Sequence, residues 1–357
     1  MDHPRYQGPV IDTHCHIDGA YRQAGTAALA TAGIDSCLNL WNLQWPPPSF
    51  ERWSSEFEGR VPLRMALGHA PDLSRIGAIA AERVEASIRA AAQAGAAVLK
   101  IWKNLGLTLY DERNIRLTVD DPRLDVVWRT AGEVGLPVLI HVADPVSFFA
   151  PLDDRNERLA ELNAHPDWWF GGPGMPAFLE LIEQFDRVIG RYPDTTFIGA
   201  HMGCYAEDLR VVGEMLERHA NYLIDSSARI AEVGRQDREE VRNFFIRHAD
   251  RILFGSDYSR TRNLMQPEAR APADEREYFA RHWRYFETAE CGLEHPIPVQ
   301  GAWRVNGIDL PDEVLAKLYS RNAARVIPAL GVSPGRTEET AMETEAGRSV
   351  VHEETHP

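Results

Sequence analysis

Short apolar runs recur along the chain at residues 10–13, 36–40, 63–67, 97–102, 137–142, 196–201, 222–225 and 251–256, each short enough for a strand. Between most of them the apolar positions return every three or four residues, over 76–94, 124–134, 178–192, 205–218 and 238–247, which predicts amphipathic helices. Strand, helix, strand in repetition means parallel pairing, because a parallel neighbour is reached only by a crossover. Eight such units predict an α/β fold of the (β/α)8 TIM-barrel type. An open doubly wound sheet fits less well: about five or six strands and an early glycine-rich phosphate loop would be expected. No GxGxxG follows the first run.

The connections are uneven, and in a barrel the loops after the strands carry the chemistry. Residues 42–60 place Pro46, Pro47 and Pro48 among Trp41, Trp45 and Trp53. Residues 142–173 form the longest insertion, with Phe148, Phe149, Arg155, Trp168, Trp169 and Phe170. Most of these aromatics are expected to pack loop onto barrel, and a minority to line a pocket. Residues 259–272 are irregular, and 310–327 read as a closing helix. Beyond 332 the apolar periodicity ends, and Glu338, Glu339, Glu343, Glu345, Glu353 and Glu354 stand against Arg336 and Arg348. The expected organisation is one barrel domain over 1–332 and a disordered acidic tail over 333–357, whose His352 and His356 are no site candidates.

Composition narrows the function. With 38 Lys and Arg against 53 Asp and Glu in 357 residues, the net charge of −15 disfavours nucleic acid and anionic membrane as partners. A small-molecule substrate fits better, and a homo-oligomer stays open. No run approaches the roughly 18 apolar residues of a membrane helix, and the polar start, residues 1–7, lacks the apolar core of a secretory signal. A cytoplasmic protein is expected. Cys15, Cys37, Cys204 and Cys291 are far apart and form no CxxC pair, so neither a disulfide framework nor a zinc ribbon is indicated.

The candidate chemistry lies at strand ends. Asp12, His14 and His16 alternate along the first strand, so if Ile11 and Thr13 face the helices, both histidines face the barrel mouth. An HxH pair alone is weak evidence. Its support is positional: His141, His201 and Asp257 each end a later strand, with parity shared by Leu139, Gly199 and Gly255, while Ile198 and Phe254 are expected to face outward. Three imidazoles and a carboxylate suit a divalent ion, Zn2+ first, with one position open for water. Lys100 ends the fourth strand with inward parity, shared with Val98 and Trp102. It is expected to pair with Asp12 or a glutamate, to contact an anionic substrate, or to be carboxylated and bridge two ions.

HxH on the first strand, lysine on the fourth, histidines on the fifth and sixth and aspartate on the eighth together resemble the amidohydrolase superfamily. The segments IDTHCHID, FIGAHMG and RILFGSD are similar to its amidohydrolase-related branch, which holds aminocarboxymuconate semialdehyde decarboxylase, resorcylate decarboxylases and dicarboxylate lactonases. The resemblance covers 10–327 and implies that His14, His16, His141 and Asp257 hold metal, with His201 orienting water or substrate or binding a second ion. It does not decide between one ion and two, and its substrate arginines do not transfer, because 101–116 and 142–173 diverge.

A dication that brings the pKa of water near neutrality, with Asp257 as the only carboxylate of ligand parity ending a strand, suffices for hydrolysis of a lactone, ester or amide. His201 is the expected partner in polarising the carbonyl. Lys103, Arg155 and Arg229, each after a strand, are the candidate contacts for an anionic substrate. Metal-dependent decarboxylation of a small carboxylic acid is the alternative, and a nonenzymatic metal or ligand binder ranks third.

Overall fold

A computed structural model describes residues 5–41, 46–74, 76, 81–261 and 274–331. The tail 333–357 lies outside them, as do Trp45 and most of 259–272. The strands are β1 (Ile11–Ile17), β2 (Ser36–Asn39), β3 (Arg64–His69), β4 (Val98–Ile101), β5 (Val138–Ile140), β6 (Phe197–Gly199), β7 (Tyr222–Asp225), β8 (Ile252–Leu253) and β9 (Tyr258–Arg260). All pair in parallel in the order β8-β7-β6-β5-β4-β3-β2-β1-β9. The short β9 continues the chain of β8, so one stretch pairs with β7 at its start and with β1 at its end, and Thr13 N–H donates to the Phe254 carbonyl at 2.9 Å. The sheet thereby curls back on itself as a TIM barrel.

Helices Ala81–Gln93, Asp125–Glu133, Phe178–Arg191, Leu209–Arg218 and Arg238–Arg247 occupy the predicted crossovers. Helices Arg22–Thr31 and Glu275–Glu287 were not anticipated. The first is rich in small residues, so its apolar face is weak, whereas the second buries Tyr278, Phe279, Trp283 and Phe286 at helical spacing among charged residues.

Two buried clusters separate the faces of the strands. Ile11, Leu38, Val98, Leu139, Ile198, Leu223 and Leu253 form one with Ala323, Ile327 and Leu330, which places them in the barrel interior with the closing helix as its floor. Ser36 Oγ donates to the Leu330 carbonyl, and Asn322 Nδ2 to the Ile252 carbonyl, fixing that floor at the strand starts. Phe197, Ile224 and Phe254 belong to the larger cluster between strands and helices.

This division corrects two expected orientations. Ile11 faces the interior, not the helices; the register of β1 against β2 shifts between Asp12 and Cys15, and that bulge restores inward parity for His14 and His16. Ile198 likewise faces inward, so alternation along β6 does not deliver His201. His201, Met202, Gly203 and Cys204 are all left-handed, with φ of 57°, 57°, 69° and 63°, and this turn re-aims the histidine. Left-handed backbone costs roughly 1–2 kcal/mol per non-glycine residue, a cost proteins retain mainly at functional sites.

Candidate metal centre and active site

His14, His16, His141 and His201 converge at the strand C-terminal end, with ring centroids 5.2 Å apart for His14 and His16, 4.9 Å for His14 and His201 and 4.4 Å for His141 and His201. Each ring is tethered through one nitrogen. His14 Nδ1 bonds Asp225 Oδ2 at 2.8 Å, and His16 Nδ1 bonds the Leu40 carbonyl at 2.9 Å. His201 Nδ1 meets the Ser227 carbonyl and hydroxyl at 3.1 and 2.9 Å, and His141 Nε2 meets the Ala143 carbonyl at 3.1 Å and Asp144 Oδ1 at 3.3 Å. Such outer contacts fix the tautomer and leave the opposite nitrogen to act as a ligand.

Asp257 closes the group. Its Oδ1 stands 3.2 Å from His16 Nε2 and 3.6 Å from His14 Nε2, and one donor atom from each of the three residues lies within 4.8 Å of the others. Asp257 is itself left-handed, with φ of 61°, and its N–H is held by the His14 carbonyl at 2.8 Å. A second set, His14, His201 and Asp225, also meets the spacing of a metal site. There the carboxylate is already engaged by the His14 ring, the His201 N–H and Ser227.

Electrostatics agree with this division. Burial pushes the imidazolium of His14 and His201 down and that of His141 to about 4, so these rings are neutral. Burial alone would raise Asp257, but its hydrogen bond to His16 and the nearby His14, His16 and Lys100 outweigh it and hold the carboxyl below the usual range. Lys100 is 1% exposed, and burial lowers its ammonium to about 8. His14 Nε2 and Lys100 Nζ are both buried without a hydrogen-bond partner among the described residues. Unpartnered buried polar atoms are costly, and the free His14 Nε2 beside a carboxylate and three further imidazoles fits a site built around a cation, whereas Lys100 fits one only as a neutral amine or a carbamate.

The expected pairing of Lys100 with Asp12 does not occur. Asp12 accepts from Ser256 Oγ at 2.5 Å and from the N–H groups of Ser256 and His14, and burial lifts its carboxyl to about 7. Asp257 is also not the sole strand-end carboxylate with inward parity. Asp225 ends β7 two residues after the interior Leu223 and is fully buried. That parity was readable in the sequence, yet no motif marks an aspartate that serves through histidines.

The centre opens into a cavity of about 190 Å³. Of the three candidate anion contacts, Lys103 and Arg229 line it; Arg155 does not, its side chain being 84% exposed and paired with Asp153. The insertion delivers Arg158 instead, buried against Glu161 and Glu232. Arg158 immediately precedes the helix Leu159–Ala164 and pairs with Glu161 three residues on, within its first turn. Lys103 is paired with Asp144. Phe148 and Trp168 line the cavity, while Phe149 packs on Phe170 and Phe178.

A family model described as amidohydrolase matches residues 11–329. The chain belongs to the amidohydrolase family. No curated protein sequence matches this amidohydrolase. Among solved structures it is similar to the uncharacterized TIM-barrel protein Bb4693 from Bordetella bronchiseptica, at 16% identity and TM-score 0.55 over 91% of this chain and 100% of that one. It is also similar to a D-hydantoinase (dihydropyrimidinase) from Thermus sp., at 15% identity and TM-score 0.53 over 89% and 70% of the two chains. A dihydroorotase from Campylobacter jejuni follows, at 11% identity and TM-score 0.51 over 89% and 82%. These likenesses bear on the fold. Family membership and the histidine–aspartate groups support a metal-dependent enzyme of hydrolase type. No helix among the described residues is long and apolar enough to cross a membrane.

Proposed function

We propose that this amidohydrolase is a metal-dependent hydrolase of a lactone, ester or amide, with a divalent ion, Zn2+ first, held by His14, His16, His141 and Asp257. The observation that supports it is the unpartnered His14 Nε2, buried beside Asp257 Oδ1 while its Nδ1 is tied to Asp225. The ion would supply Lewis acidity, lowering the pKa of water to near neutrality. Asp257 is the proton carrier: its side chain is 25% exposed, against 1% for His14 and 4% for His16, so a carboxylate oxygen can reach water. It accepts the proton as water attacks the carbonyl carbon and returns it to the departing oxygen or nitrogen. His201, neutral and fixed through Nδ1, presents Nε2 to the ion or to the substrate carbonyl. Lys100 contributes either as a carbamate ligand for a second ion or as an amine beside a single one.

Zinc-edge anomalous scattering from crystals, with turnover of a lactone, ester and amide panel, tests this reading. Bound metal and hydrolysis are expected. Release of carbon dioxide from a carboxylic acid without hydrolysis would assign decarboxylation instead, and a protein with no metal would refute both.

A further inference from the structure

The chain that follows the helix Glu275–Glu287 forms a loop drawn shut at its base. Leu293 and Val305 pair antiparallel, each N–H donating to the other's carbonyl, at 2.8 and 2.9 Å. Arg281 fastens one side of the loop, to Glu294 at 2.6 Å and to the His295 carbonyl at 3.1 Å. Trp303 fastens the other: its Nε1 donates to the Ala231 carbonyl at 2.9 Å, and the Arg235 guanidinium lies 4.3 Å from the ring centroid. His295 Nε2 donates to the Gly301 carbonyl at 2.9 Å, which closes a neck. Gly301 has a φ of 152°, and a Cβ there would meet the Trp303 ring at 2.2 Å, so the neck requires glycine.

Beyond this frame the tip, residues 296–300, is held in another way. Its hydrogen bonds among the described residues stay within the loop, from the Gln300 N–H to the Ile297 carbonyl and from the Gly301 N–H to the Pro298 carbonyl. Yet Ile297, Val299 and Gln300 line the cavity beside the metal centre, and the short turn Pro298–Gln300 rests against the insertion helix Leu159–Ala164. Val299 lines the cavity while 40% exposed, so an apolar side chain stands at the mouth. A segment fixed at its base and carried at its tip by apolar contact opens without breaking a hydrogen bond to the body, which places it at the low end of local stability. The rest of the wall is firmer: Arg158 is bound to both Glu161 and Glu232 and stands 5.9 Å from the Trp303 ring, tying the insertion to the frame. At about 190 Å³ the cavity is below the roughly 300–1,000 Å³ of pockets for drug-sized ligands, and the tip is the part of its wall that can yield.

We propose that residues 296–300 are a flap over the metal centre, and that Ile297 and Val299 on it determine the size of substrate the enzyme turns over. The flap swings on the neck between His295 and Gly301 to admit a substrate. It closes only on groups small enough for both side chains to regain their contacts. The size selection rests on the hydrolase reading, whereas the flap stands on how the loop is fastened.

The paired substitution Ile297→Ser and Val299→Ser in the full chain tests both parts. Zinc transfer from the loaded protein to a bulky chromophoric chelator should quicken about ten- to a hundredfold, the worth of two half-buried aliphatic side chains. Equilibrium zinc affinity should not change, because no ligand is touched. In metal-free protein, diethyl pyrocarbonate should modify His141 and His201 faster by a similar factor, read residue by residue by mass spectrometry. Among methyl, benzyl and naphthylmethyl esters of one acid, the unaltered protein should favour the methyl ester in kcat/KM, and the paired variant should flatten that preference. Zinc transfer and histidine modification at the unaltered rates would overturn the flap. An unchanged size preference in a variant whose histidines have become accessible would overturn the specificity role. Val299→Ser alone, at an exposed position, repeats each measurement if the pair fails to fold. A protein that takes up no zinc would refute the hydrolase reading, and histidine modification would still decide on the flap.

Discussion

Replacing Asp225 by asparagine separates orientation of a ligand from ligation itself. Asp225 Oδ1 accepts three bonds, from His201 N–H at 2.8 Å, Ser227 N–H at 3.1 Å and Ser227 Oγ at 2.5 Å, while Oδ2 accepts from His14 Nδ1 at 2.8 Å. The three donors on one side fix how an amide would sit in Asp225→Asn: its oxygen takes the Oδ1 place, and its NH2 faces His14. His14 Nδ1 must then accept, which moves the ring proton to Nε2, the atom proposed to bind metal. Metal affinity is expected to fall about 10- to 100-fold, the usual cost of losing an outer partner of a ligand. The Oδ1 contacts survive, so the left-handed turn at 201–204 should persist and the loss in stability stay within roughly 1–3 kcal/mol, the worth of one buried charged hydrogen bond. Competition against a chromophoric chelator measures the affinity, and thermal unfolding of the metal-free protein measures the stability. Affinity equal to the unaltered protein, with unfolding unchanged, would refute the view that Asp225 sets the His14 tautomer.

Four further outcomes follow from the same structure. His14→Ala should lose most bound metal by elemental analysis, whereas Cys15→Ser should retain it, because Cys15 packs in the outer cluster and donates to the Leu38 carbonyl. Asp257→Asn at saturating metal should reduce turnover about 100- to 10,000-fold while keeping part of the metal, and wild-type turnover across neutral pH would pass the proton-transfer role to His201. Phe254→Ala should cost about 3–5 kcal/mol by denaturant unfolding, because the ring is fully buried against Trp283, Phe286 and Tyr319. Deletion of 333–357 should leave the melting temperature within a few degrees, since a segment without an apolar face buries little; a large drop would mean that it docks.

The sequence by itself determined the repeating strand–helix order, and with it the parallel barrel, because a period of two and a period of 3.6 sort apolar residues onto one face before any tertiary contact exists. It also placed His14, His16, Lys100, His141, His201 and Asp257 at strand C-terminal ends, which barrel topology brings to one mouth. Alternation then failed wherever the backbone departs from a regular strand. The bulge in β1 reverses the parity of Ile11 relative to His14, and the left-handed run from His201 to Cys204 turns inward a side chain that β6 alone would have aimed elsewhere. Both departures are held by distant partners, such as Asp225 on the His201 N–H, which local pattern does not contain. Tertiary structure alone also decided between Arg155, paired in solvent, and Arg158, buried against Glu161 and Glu232. It likewise neutralised Lys103 and left Arg229 facing the cavity. Which of several equal charges is free depends on what each one meets, and those partners come from strands and insertions far apart in the chain.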